Sequence, residues 1–263
     1  MPDNLLELRH IHKTFGAGTA EENTLFQDFN FSVPDGCSVS VVGSNGSGKT
    51  TLLNILCGSV HPDSGQVFVS GREISRLTEP QRARFIGRVF QNPSAGTCPR
   101  LTVLENLSLA GNKGKRFGLS QGISKKQTGF WRSQLEQLQL GLEDRLDVPG
   151  GSLSGGQRQA LALLICTLTP IRILLLDEHT AALDPKSSET VMGLTKRFVR
   201  EKKIPALMVT HNLKYALDFG DRLIMMHRGK IVLDVSGPEK KKLGIRDLTD
   251  LFDKISVEVG NSV

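Results

Sequence analysis

The segment Gly43-Ser44-Asn45-Gly46-Ser47-Gly48-Lys49-Thr50 constrains the fold more than any other part of the chain. It follows an apolar run, Ser38 to Val42, and precedes Thr51 to Cys57, which is apolar at helical spacing and stops at Gly58. Strand, glycine-rich loop and helix in that order specify an α/β unit. Glycines let successive backbone N–H groups face inward, and the helix N-terminus adds partial positive charge, so the unit is suited to an anionic phosphate. Lys49 is expected to reach the β- and γ-phosphates of a nucleotide, and the Thr50 hydroxyl to ligate Mg²⁺. The loop by itself does not separate a kinase, a GTPase or an ATPase.

Further strands are expected where Leu6, Leu8 and His10 alternate, and over Phe26 to Val33, Gln66 to Val69, Ile86 to Phe90, Ile171 to Leu176, Ala206 to Thr210, Leu223 to His227 and Ile231 to Asp234. Continuous apolar runs such as Ile173 to Leu176 suit strands covered by helices on both faces. The pattern predicts an α/β fold: a P-loop NTPase core with a mostly parallel sheet, an antiparallel β portion before it, and a helical subdomain. Residues 4–256 are expected to form one domain with a helical insert at about 97–165. Within that insert, Thr102 to Ala110 and Gln127 to Leu140 look helical around a Gly/Ser/Lys/Arg loop at Gly111 to Ser124. A capping helix is expected near Arg246 to Ile255, with a frayed tail at 257–263.

The 263 residues are 38% hydrophobic and 23% charged, which is enough apolar material for a full core and no sign of disorder. The longest apolar stretch, Ala160 to Ile173, is broken by Thr167, Thr169, Pro170 and Arg172, so no span of roughly 20 residues can cross a bilayer. The N-terminus lacks a secretory pattern, which makes the cytosol the expected compartment. Cys37, Cys57, Cys98 and Cys166 are too scattered for a disulfide framework or a zinc site and are expected to be reduced, mostly buried thiols. The net charge of +6 is spread widely, with short clusters at Lys113 to Arg116 and Lys240 to Lys242 that read as solvated charge rather than a binding patch.

Two more constellations carry chemistry. Ile173-Leu174-Leu175-Leu176-Asp177-Glu178 delivers adjacent carboxylates at a strand end, where ligands bind in open α/β sheets. Asp177 is placed to hold Mg²⁺ through water, and Glu178 to polarise a water that attacks the γ-phosphate. Leu153-Ser154-Gly155-Gly156-Gln157 precedes a helix beginning around Gln157; alone it reads as an N-cap and hinge, although small residues there also free a helix end for an anion.

With these residues in place the chain closely resembles the ATP-binding subunits of ABC transporters, over about Leu6 to Phe252. The resemblance implies that two heads pair head to tail, with ATP held between Gly43 to Thr51 of one and the LSGGQ signature, Ser154, Gly155, Gly156 and Gln157, of the other. It implies adenine stacking for Phe15, an ordinary core phenylalanine being the alternative. Gln91 resembles the glutamine that senses Mg²⁺ and the attacking water, Asp184 the D-loop aspartate that communicates across the dimer, and His211 the switch histidine on the γ-phosphate. Glu178, His211 and Gln91 are thus the expected catalytic residues, and Thr50, Gln91 and Asp177 the expected metal ligands. His179 departs from the family, where most members carry proline; it has no assigned role, and a local structural histidine is the expectation.

The implied activity is ATP hydrolysis that energises transport of a small solute through separate integral membrane permease subunits, with import favoured over export. A homodimer, a separate extracytoplasmic solute-binding protein and a position on the cytoplasmic face of the inner membrane follow from the same resemblance. The loop Asn92 to Pro99, with the helical insert, is the expected docking surface for the permease. The segment Pro93-Ser94-Ala95-Gly96-Thr97, with DEHTAALD, resembles an importer branch linked to aromatic amino-acid uptake. An ABC-type ATPase of nucleic-acid or ribosome processing is the alternative, but such heads carry long coiled-coil insertions or occur in pairs, and no nucleic acid is expected here. A P-loop kinase leaves the signature, Gln91 and His211 unexplained.

Overall fold

The structure, a computed structural model, describes residues 4–114 and 127–260, with side chains described as far as residue 255. The chain divides into two compact units: residues 1–83 with 205–263, and residues 84–204.

The first unit contains two sheets. β1 (Asn4–Phe15), β2 (Asn23–Pro34), β4 (Ser64–Val69) and β5 (Arg72–Glu73) form an antiparallel sheet in the order β2-β1-β4-β5. This sheet therefore draws on segments after the phosphate loop as well as before it. The expected alternation fails at His10, which lies at φ 52° on the exposed side while Ile11 turns inward, because the pairing with β2 shifts register between Leu8 and Ile11. A bulge of this kind resets which residues face the core. The second sheet of the unit places β3 (Val39–Gly43) between β8 (Ala206–Val209) and β9 (Arg222–His227), parallel to both, with β10 (Lys230–Ser236) antiparallel on β9.

Helix α1 (Lys49–Cys57) follows the loop after β3, and Gly58 ends it in the left-handed conformation. Its far end is held by Arg82, at the end of the short α2 (Glu79–Arg82). The fully buried Arg82 guanidinium donates to the carbonyls of Ile55 (2.5 Å), Leu56 (3.2 Å), Leu77 (2.9 Å) and Ser75 (2.9 Å). Two of these are among the carbonyls that a helix C-terminus leaves without intrahelical partners. Next to β8, α7 (Leu213–Asp218) packs with α9 (Ile245–Gly260), whose Leu248, Leu251, Phe252 and Ile255 meet Ala216, Leu223 and Met225. Helix α9 covers the expected capping segment and continues to Gly260; residues 261–263 of the expected tail lie outside the described residues. In α8 (Gly237–Lys242) the basic cluster is not wholly solvated, since Lys240 is buried with its Nζ on the carbonyls of Phe219 and Gly220.

The second unit holds β6 (Ile86–Val89) parallel to β7 (Ile173–Asp177), with α3 (Val103–Gly111), α4 (Thr128–Glu136), α5 (Gly155–Thr167) and α6 (Pro185–Lys202). The expected loop at Gly111 to Ser124 and the cluster to Arg116 fall largely in residues 115–126, outside the described residues. α3 begins on a reciprocal cap in which Thr102 accepts from the Glu105 N–H and Glu105 accepts from that of Thr102. None of the four cysteines is in a disulfide, but only Cys57 is buried and the others are half-buried, so the expectation of mostly buried thiols does not hold.

Candidate functional site

In the first unit the phosphate loop is shaped by main-chain contacts. Gly48 lies at φ 103°, which an L side chain rarely adopts, and a Cβ there would come within 2.9 Å of the Phe26 ring. The β9–β10 hairpin supports the loop from outside: the Gly229 N–H donates to the Ser47 carbonyl at 3.0 Å, and a Cβ on Gly229 would lie 1.7 Å from the Leu25 carbonyl oxygen. His227, at the end of β9, meets the Ser44 hydroxyl through Nδ1 at 3.2 Å, and burial with the neighbouring Arg228 lowers its pKa. Lys49 is buried and its ammonium donates to the carbonyls of Gly43 and Ser44, both at 2.8 Å, and to Ser47 Oγ at 3.4 Å. The loop is thus curled around a cation, while Asn45, Gly46 and Thr50 are exposed at its mouth and Thr51 is half-buried.

Two other expected residues belong to this unit. Phe15 ends β1 and is 39% exposed, so it is no core phenylalanine; Lys13 Nζ sits 5.4 Å from its ring centroid. His211 is exposed just beyond β8 and precedes Asn212, whose side chain accepts from the Tyr215 N–H and caps α7.

The second unit places Gln91, exposed, just beyond β6, and Asp177 at the end of β7. Arg88 of β6 donates to Asp177 Oδ2 at 2.5 Å, with both side chains nearly buried, so the aspartate is oriented by a charge-assisted bond. Glu178 follows at φ 47° and is half-buried. A non-glycine residue in this region is uncommon and carries a cost of ~1 kcal/mol or more. His179 is buried beside Thr195 of α6, Nε2 to Oγ1 at 3.0 Å, and burial holds its pKa down to about 4.

Ser154 caps α5, accepting from the Gln157 N–H at 3.2 Å while Gln157 Oε1 accepts from the Ser154 N–H, so the helix starts at Gly155, earlier than expected. Ser154 and Gly155 are exposed and Gly156 is buried. Arg158 fastens the segment before this helix, donating to the carbonyls of Gly150, Gly151 and Leu153 and to Ser94 Oγ. Asp184 caps α6, accepting from the Ser187 N–H at 3.0 Å, and these local bonds lower its carboxyl pKa.

Sequence reasoning missed Arg88, Arg158 and His227. Arg88 is a charge inside an otherwise apolar strand, which requires a buried partner. Arg158 is a cation in the first turn of a helix, where the dipole disfavours it unless carbonyls hold it. No comparable signal marks His227.

A strand, a glycine-shaped loop curled on a buried lysine and a helix define a P-loop nucleotide-binding protein. Residues 26–181 match the family described as ABC transporter. The chain is 48% identical over 249 residues, covering 95% of this chain and 99% of the relative, to the tyrosine transport ATP-binding protein of Clostridioides difficile (strain R20291). It is 32% identical to phosphonates import ATP-binding protein PhnC 1 of Ruegeria sp. (strain TM1040), covering 88% of each. Among solved structures it superposes with a TM-score of 0.74 and 29% identity on a dimeric ATP-binding cassette in a post-hydrolysis state with ADP and Pi, covering 88% of this chain and 98% of that one. The chain belongs to the ABC transporter family as an ATP-binding, ATP-hydrolysing cassette that powers transport through a separate membrane permease. Among the described residues no helix is long and apolar enough to cross a membrane.

Proposed function

We propose that two copies of this chain close on ATP, each phosphate loop facing the partner's signature, to drive import of an aromatic amino acid delivered by an extracytoplasmic binding protein. The observation that carries the reading is the phosphate loop itself: it curls around a buried cation, the Lys49 ammonium lying on the Gly43 and Ser44 carbonyls. Ser154 and Gly155, exposed at the start of α5, offer an N-terminal helix end to the partner's nucleotide. The solute class is supported by the 48% likeness to a tyrosine transport protein over almost the whole chain. The cassette then works at the cytoplasmic face of the membrane, with the Asn92 to Pro99 loop toward the permease; a short 3₁₀ turn at Pro93–Ala95, capped by Asn92, gives that loop a defined shape.

In the proposed mechanism Lys49 and the loop N–H groups bind the phosphates, Phe15 stacks on adenine, and Thr51 and Gln157 complete the nucleotide contacts. Glu178 accepts a proton from the attacking water, with Gln91 and His211 orienting that water and the γ-phosphate. Asp184 links the two subunits. Loss of the γ-phosphate removes the charge that joined them, and the pair reopens. Mg²⁺ suits the donor chemistry: Thr50 of the first unit, and Gln91 and the Arg88-bound Asp177 of the second, would supply it with hard oxygens. When bound it would neutralise phosphate charge.

Light scattering on the Glu178→Gln variant with MgATP tests the dimer: a mass doubling that disappears in Ser154→Arg is expected, and a nucleotide-bound monomer would refute it. Co-purifying the permease and binding protein, then titrating the latter with tyrosine and phenylalanine, tests the solute; absence of binding would refute that part alone.

A further inference from the structure

Glu178 is the first residue beyond the β7 ladder and the last before a loop that contains no glycine. Its φ of 47° is therefore not supplied by the residue type, and contacts of the residues after it help to hold it. Two local restraints are the Ala181 N–H, which donates to the Glu178 carbonyl at 2.9 Å, and Ser188 Oγ of α6, which donates to the Thr180 carbonyl at 3.0 Å. The third is the histidine in between.

The direction of that third bond can be deduced. Thr195 Oγ1 donates its only proton to the Val191 carbonyl, one turn back in α6, at 2.8 Å. Toward His179 Nε2, at 3.0 Å, the hydroxyl can then only accept, which makes Nε2–H the donor. The residue next to Glu178 is thereby tied to the middle of an 18-residue helix, with His179 2% exposed and Thr195 fully buried.

We infer that His179 is a positioning residue for ATP hydrolysis: its bond to Thr195 fixes the peptide after Glu178 and so aims the Glu178 carboxylate. The inference rests on Glu178 as general base. The Thr195 hydroxyl satisfies a buried N–H that would be costly to leave unpaired, and so holds the ring at one angle. Rotation about the Glu178 peptide would displace the carboxylate while Lys49 keeps its own contacts in the phosphate loop, so the effect falls on turnover. A displacement of about 1 Å at a reacting group costs up to about 100-fold in rate.

The test is steady-state ATPase on the full chain, with turnover expressed per nucleotide-binding site by titration with a fluorescent ATP analogue. His179→Ala and Thr195→Val are each expected to lower kcat about 10- to 100-fold with KM for ATP within about twofold. The double variant should be no slower than the slower single one, and His179→Gln, whose amide N–H can replace Nε2–H, should recover most of the rate. Unchanged kcat per site in His179→Ala and Thr195→Val, with only the melting temperature lowered, would show a merely structural histidine and overturn the inference. If His179→Ala yields no nucleotide-binding protein, Thr195→Val, which keeps the ring and the side-chain volume, decides between the same two outcomes. Glu178→Gln measured in parallel separates the two readings. Its near-normal turnover would remove the general base and this inference with it, whereas an inactive Glu178→Gln beside a fully active His179→Ala would remove this inference alone.

Discussion

Two loops leave the ends of buried parallel strands, one after β3 and one after β7, and they are built by opposite means. The first is rich in glycine and held by main-chain groups: the Gly43 and Ser44 carbonyls on Lys49, and the Gly229 N–H on Ser47. The second, Glu178 to Asp184, has no glycine and is held by side chains: His179 on Thr195, Ser188 on Thr180, and Arg88 on the preceding Asp177. On the proposed mechanism the difference reflects what each loop presents. A loop that offers backbone N–H groups to phosphate must keep side chains out of the way. One that offers a carboxylate to a reacting water must hold a single side chain at one angle, so it is braced from its neighbours.

If that division is right, damage to the second loop should affect turnover and damage to the first should affect binding. The largest effect expected is for Glu178→Gln, about 1000-fold lower kcat with ATP affinity preserved, read by phosphate release and calorimetry. Comparable losses of rate and affinity would break the division.

The next concerns acid. The folded pKa of His179, about 4, lies below the ordinary 6.5, so the unfolded chain binds a proton first. Stability is whole above about 6.5 and is lost as the pH falls toward 4, by ~3 kcal/mol in total. Urea titrations without nucleotide, in the presence of a chelator, should show this slope in the wild type and lose most of it in His179→Gln. An unaltered slope would assign the effect elsewhere.

Lys49→Ala is expected to weaken ATP binding about 100-fold, consistent with the loss of charged hydrogen bonds worth roughly 1.5–3 kcal/mol each. ATP bound at wild-type affinity would contradict the role of the first loop. The smallest effect belongs to Ser188→Ala, about 1 kcal/mol of stability for one buried hydrogen bond, with a modest fall in kcat. A raised KM with kcat intact would place Ser188 with binding instead.

Much of this arrangement was legible in the chain itself. The phosphate loop, the strand ending at Asp177 and the signature are short-range patterns, each set by glycine, an apolar run or a capping residue within about ten positions. What could not be read was long-range. The bulge at His10 depends on pairing with β2, the antiparallel sheet recruits β4 and β5 from beyond α1, and Arg88 meets Asp177 across 89 positions. His179 stood out only as a departure from proline; its partner, Thr195, is one of many hydroxyls in the chain, and nothing in its own neighbourhood marks it.

Arg82 sets a lower bound on how small a working piece of this protein can be. The stretch from β3 through α1 looks like a portable phosphate-binding cassette, yet the carbonyls at the end of α1 are satisfied by a guanidinium that arrives 24 positions after Gly58, by way of Ser75 and Leu77. A fragment cut at Gly58 would expose those acceptors and lose the brace on the helix that carries Lys49. Anyone transplanting this loop into another scaffold has to bring the chain as far as Arg82, or supply a new cation in its place.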